Sequence, residues 1–164
     1  MPSTSTVRLP ALSEHIRNEV ANELQATLVE LIDLSLFGKQ LHWSVIGPHF
    51  RSLHLQLDEL VDEWHELSDK VAERSVALGL IPDGQAATVA AASPAPIAQG
   101  QIADQEVVRE LAQRIADTAE RCRERMNRLG EFDSVSEDLM IEVVGDLEQA
   151  LWMVRAQFPV AEQL

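Results

Sequence analysis

The chain has 164 residues, a formal net charge of −14 and only 4% aromatic residues with no Tyr. That length suits one domain with a core of its own, and Ala, Leu, Val, Glu and Gln dominate in a way that argues for helix. The charge attracts cations and repels nucleic acid unless basic residues gather in one patch. The single cysteine, Cys122, excludes an intrachain disulfide and reads as a partly buried, inert thiol among charged neighbours. No apolar run approaches the roughly 20 residues of a membrane span. Met1 to Pro10 contain no apolar signal-peptide region, so a cytoplasmic protein is expected.

In chain order, residues 1–12 are expected to form a flexible tail. Ser13 is the expected N-cap of a first helix running to about Trp43, with apolar residues at helical spacing: Ile16, Val20, Leu24, Leu28, Leu31, Ile32 and Leu36. Gly47-Pro48 breaks it, and Pro48 suits the first turn of a second helix from about His49 to Leu78, stopped by Gly79. Residues 81–101, rich in Pro, Ala and Gly, read as a long connection with a short helix over Gln85 to Ala92. A third helix follows Asp104 and ends at Gly130. A fourth opens on Ser134-Val135-Ser136-Glu137, read as a capping box, and stops before Pro159. Residues 13–158 thus form the domain and 159–164 a second tail. The expected fold class is all-α, a four-helix bundle whose connection between helices two and three is the long one, which is the ferritin-like order.

The second helix carries two stripes. Leu53, Leu57, Leu60, Trp64, Leu67, Val71 and Leu78 fall on one side of a helical wheel. His54, Asp58, Asp62, His65, Asp69 and Glu73 fall on another, and His42 stands near the end of the preceding helix. Imidazole with carboxylate suits a borderline divalent ion such as Fe(II), although a polar stripe is more commonly a solvated face. His54 and Asp58 lie one turn apart, as do Asp69 and Glu73, so each pair can grip an ion. Asp58 and Asp69 are eleven positions apart, or roughly 16 Å along a helix at about 1.5 Å per residue. One chain cannot bring both pairs to one centre. Either each chain holds two separate sites, or the upper pair of one chain meets the lower pair of another. The second arrangement needs antiparallel packing about a twofold axis near Glu63 and Trp64, where a large apolar Trp64 fits a buried interface.

The run GKQLHWSVIGPHFRSLHLQLDELVDEWHELSDKVAERSVALG resembles the pattern of the Dps proteins, the ferritin-like DNA-binding proteins from starved cells, in an actinobacterial-type form. His42-Trp43, His54, Asp58, Asp69 and Ala72-Glu73-Arg74 occupy the family's positions, and DLEQALWMVRA is similar to its final-helix motif. The resemblance implies a homododecameric shell of tetrahedral symmetry. It also implies ferroxidase centres of His42, His54, Asp58, Asp69 and Glu73 shared between twofold-related chains, and Fe(II) oxidation by hydrogen peroxide or oxygen. A ferric mineral core would be stored inside, and zinc can substitute for iron on such ligands. Ordinary ferritins use Glu-x-x-His motifs within one bundle, and this chain has none.

Asp138, fourteen positions before Trp152, matches the spacing of the family's acidic pore position, with Asp133 and Glu137 as further pore candidates. A carboxylate in a helix's first turn is also favoured by the macrodipole alone. Glu59, Asp62 and Glu63 are candidates for ferric nucleation, with a solvated face as the alternative. Trp43 and Trp152 are candidates for intercepting stray oxidising equivalents, with core packing as the alternative. His65 reads as a hydrogen-bonded interface histidine, and His15 and His49 as surface or cap residues. The family's DNA-binding members carry basic tails, whereas the N-terminal tail here offers only Arg8 and no basic residue follows Arg155. Weak or absent DNA binding is expected, which disfavours the alternative of a nucleoid protein that chiefly coats DNA.

Overall fold

Ser13 caps the first helix as expected, its hydroxyl accepting the Ile16 N–H at 3.3 Å. The computed structural model describes residues 10, 12–94 and 99–158. The terminal tails expected at 1–12 and 159–164 lie almost wholly outside the described residues. The elements are α1 (Glu14–Ser44), β1 (Val45–Ile46), α2 (Phe50–Ala77), α3 (Ala86–Ala92), β2 (Ile102–Ala103), α4 (Asp104–Leu129) and α5 (Ser134–Arg155). The second helix starts later than expected. His49 is its N-cap, and Pro48 lies outside the helix, in the turn made by Gly47 at φ +129°. Gly79, at φ +82°, ends it in the left-handed conformation that favours glycine.

The four long helices form the bundle. α1 packs on α2 and α4, α5 packs on α4 and α2, and α3 lies against α1. Two-residue strands β1 and β2 pair in parallel, Val45 with Ile102 and Ile46 with Ala103. This pairing fixes where the long connection ends. The chain leaves the far end of α2, climbs the bundle beside α1, and enters α4 next to the α1–α2 corner. Helices α2 and α4 are therefore parallel, as a single long crossover requires.

The apolar stripe of α2 is buried throughout, from Leu53 to Leu78. Trp64 is 1% exposed inside its own chain's core, so the expectation that it lies at an interface between chains is overturned. It packs where α1 comes close. A Cβ placed on Gly38 would lie 2.9 Å from the Trp64 ring and 3.0 Å from Val61. On α1, Leu36 is 60% exposed, and Leu34, Phe37 and Leu41 fill the core there.

Helix α5 opens differently from the expected capping box. Its N-cap is Asp133, which accepts from the Ser136 N–H at 3.2 Å and from the Ser136 hydroxyl at 2.5 Å. The Arg74 guanidinium reaches the same carboxylate at 2.6 Å and Ser136 Oγ at 2.9 Å. Burial raises the Asp133 carboxyl, but the bonds from Ser136 and Arg74 outweigh it and hold the pKa below the usual range. A cap of this kind contributes on the order of 1 kcal/mol, and here it also ties α2 to α5.

A ladder of ion pairs joins α4 to α1. Arg128 binds Glu23, Arg125 and Arg121 bind Glu30, and Arg114 binds Asp33. Cys122 is fully buried beneath it, and burial pushes its thiol pKa up to about 11. The thiol is therefore inert, in keeping with the sequence reading.

Candidate metal centre

His42 stands in the last turn of α1 and His54 near the start of α2, with only residues 45–49 between the helices. That short corner folds the two imidazoles face to face, their centroids 3.6 Å apart and their planes at 21°. Their hydrogen bonds are reciprocal. His42 Nδ1 lies 2.8 Å from the His54 carbonyl oxygen, and His54 Nδ1 lies 3.1 Å from the His42 carbonyl oxygen. A carbonyl oxygen only accepts, so each Nδ1 carries a proton. In a neutral ring Nε2 is then the nitrogen left with a lone pair for a metal, and His42 Nδ1 also lies 3.3 Å from Asp58 Oδ1. Such a bond fixes both tautomer and ring orientation, as the outer partners of metal-binding histidines do. Phe50 closes one side, its ring centroid 4.9 Å from that of His54.

Asp58, one turn beyond His54, completes a group. His42, His54 and Asp58 each present a ligand atom, all within 4.8 Å of one another. The Asp58 carboxylate also accepts the Lys39 ammonium, which with the nearby imidazoles holds its pKa below the usual carboxylate value. The sequence reading missed Lys39. It lies three residues before His42 on α1 and so on the same face, a signal the helical spacing did contain.

Asp69 and Glu73 are not part of this group. Both are exposed, further along α2. Arg74, beside Glu73, is turned instead to Asp133 and Ser136.

The remaining candidates divide. Asp138 is exposed at the start of α5 and Glu137 is half-buried, with its carboxylate over Gly130, where a Cβ would lie 2.6 Å from Oε1. Asp133 is buried as the α5 cap. Glu59, Asp62 and Glu63 are exposed in the single chain. Desolvation first, then the charges of Asp146, Glu59 and Glu66, raises the Glu63 carboxyl pKa. The acidic field on α2 thus extends to Glu66 and, from α5, to Asp146, which a reading of one helix at a time does not reveal. Trp43 and Trp152 are 69% and 68% exposed, so neither fills the chain's own core. His65 is exposed. His49 is the α2 cap residue, and its ring also binds Asp104 at 2.9 Å. Among the described residues no helix is long and apolar enough to cross a membrane.

Bundle order and the single long crossover together define a ferritin-like fold. The model of the ferritin-like domain matches residues 21–163. The chain is 33% identical to the DNA protection during starvation protein of Mycolicibacterium smegmatis over 93% of this chain and 84% of that one. It is 31% identical to the fine tangled pili major subunit of Haemophilus ducreyi, over 90% of this chain and 79% of the other. A solved structure, DpsA14 from Streptomyces coelicolor, superposes with a TM-score of 0.89 at 30% identity, covering 95% and 94% of the two chains. The chain belongs to the Dps family of ferritin-like proteins.

Proposed function

We propose that this protein is an iron-detoxifying miniferritin, which oxidises Fe(II) and stores the ferric product inside a homododecameric shell in the cytoplasm. The observation that carries this reading is the reciprocally bonded His42–His54 pair beside Asp58, which brings a ligand atom from each of the three side chains within 4.8 Å of the others. Three donors from one chain leave coordination positions open. Asp69 and Glu73 of a twofold-related chain would supply the remaining ligands. Carboxylates bind Fe(II) and favour Fe(III) still more, so the site assists loss of an electron. Hydrogen peroxide or oxygen serves as oxidant. With peroxide, two Fe(II) each lose one electron, and the peroxide takes both with two protons to give two waters.

Asp138, in three copies about a threefold channel, would concentrate Fe(II) on its way in, with Glu137 beside it. Asp133 is committed to its cap. Glu59, Asp62 and Glu63, extended by Glu66 and Asp146, would seed the ferric core. Trp43, exposed next to a ligand, and Trp152 would intercept stray oxidising equivalents. Zn(II) suits the same ligands and would compete with iron.

The nucleoid-coating alternative is disfavoured by the fate of the basic residues. Nine of the thirteen Lys and Arg side chains are bound to carboxylates of the same chain. Among the described residues only Arg17, Arg51 and Arg155 lack such a partner, which leaves little cationic surface for phosphates.

The test is to load apo-protein with Fe(II) anaerobically, add hydrogen peroxide, and follow ferric absorbance and particle size beside a His54→Ala/Asp58→Ala variant. Rapid oxidation with soluble retention in wild type, and neither in an equally assembled variant, is the expected result. Identical behaviour of the two proteins would reject the proposal.

A further inference from the structure

We infer that Asp104, at the start of α4, is a positioning residue that sets the geometry of the His42–His54 pair from outside the two helices that carry it. The inference rests on the proposed reading of that pair as metal ligands.

Residues 45–49 alone join the two histidine-bearing helices, so the path of this corner decides how the rings meet. The corner is clasped to the start of α4. Val45 and Ile46 pair with Ile102 and Ala103. The His49 N–H donates to Asp104 Oδ2 at 2.9 Å, and His49 Nδ1 binds the same oxygen at 2.9 Å. The other oxygen accepts the Gln105 N–H at 2.9 Å. Asp104 is only 6% exposed, and a buried carboxylate needs such partners.

Helix α2 lacks the devices that usually begin a helix. Its N-cap, His49, makes no side-chain cap bond, and its first turn contains no acidic residue. Asp104 stands in from another element in two ways. It accepts the N–H of the cap residue, which the glutamate of a capping box would otherwise do, and it places negative charge at the positive end of the helix. Gly47 is matched to it. A Cβ there would lie 2.7 Å from the Asp104 carboxyl carbon and Oδ2, and its φ of +129° is one that side chains rarely adopt. Phe158, near the end of the described chain, packs edge-on against the His49 ring at 4.9 Å. Start of α2 and start of α4 therefore meet at the Asp104 carboxylate, with Phe158 against the His49 ring that binds it.

The experiment is a Co(II) titration of assembled, full-length, metal-free protein, reading affinity and the cobalt d–d absorption band. Asp104→Ala and Gly47→Ala are expected to weaken Co(II) binding about tenfold each and to change the band, the scale seen when outer partners of metal ligands are removed. Asp104→Asn keeps an acceptor for the His49 N–H and should recover most of the affinity. Val143→Ala, a core truncation in α5, should lower the Tm and leave affinity and band unchanged. Wild-type affinity and band in Asp104→Ala would overturn the inference while leaving the ligand reading intact. Should Asp104→Ala fail to assemble, wild-type affinity and band in Gly47→Ala would overturn it equally. Absence of any Co(II) binding by wild type, with no difference from His54→Ala/Asp58→Ala, would overturn the ligand reading and this inference with it.

Discussion

Two variants that are each inactive should regain activity when they share a shell. Asp58 and Asp69 are separated by roughly 16 Å along α2, whereas the donors of His42, His54 and Asp58 all fall within 4.8 Å of one another. Asp69 and Glu73 can therefore complete that group only from another chain. In His54→Ala/Asp58→Ala protein every centre lacks its upper half, and in Asp69→Ala/Glu73→Ala protein every centre lacks its lower half. When the two are co-expressed in equal amounts, half of the twofold pairs are mixed. Each mixed pair has one centre with both halves broken and one with both intact, so mixed shells should show about a quarter of wild-type ferroxidase activity. The assay is ferric absorbance after peroxide addition, with subunit ratios verified by mass spectrometry. Mixed shells no more active than the mean of the two parents would refute the shared centre and favour two independent sites per chain.

Lys39→Met removes the ammonium that competes with a metal for the Asp58 carboxylate, and Co(II) titration should show affinity rising about two- to fivefold, the modest scale of a solvent-exposed pair. Gly38→Ala forces a methyl against Trp64 and should cost about 1–3 kcal/mol, read as a lower urea midpoint without loss of secondary structure. Burial raises the Glu30 carboxyl pKa, but Arg125 and Arg121 bring it below its ordinary 4.5. Its stabilisation is therefore complete above that ordinary value and lost as pH falls through the lower folded value. Glu30→Gln should flatten the fall in urea midpoint across that acid range, and an unchanged slope would dismiss Glu30 as its source. Duplex DNA at physiological salt should show no saturable gel retardation by iron-free protein, and a discrete shifted complex would contradict this.

The helices were legible because each buries one face, and burial imposes the 3.6-residue period on Leu and Val. Leu36 shows the limit of that logic, since an apolar residue at the right spacing is not bound to point inward. Trp64 shows another: helical spacing put it on the apolar stripe, but only the close approach at Gly38 reveals which surface it fills. Asp133 rather than Ser134 caps α5 because Arg74, distant in sequence, fixes that carboxylate in place. The pairing of Val45–Ile46 with Ile102–Ala103 is too short to leave a strand pattern. The His42, His54 and Asp58 group was legible from the spacing of His54 and Asp58 together with the family resemblance that set His42 beside them. Its reciprocal bonding was not, because it depends on the dihedral path of residues 45–49.

The two carbonyls that hold the His42 and His54 protons make ring orientation a property of the main chain. Both imidazoles have already surrendered their rotational freedom when an ion arrives, so capture carries little ordering entropy. The ordering that remains on capture falls on Asp58, whose carboxylate also holds the Lys39 ammonium.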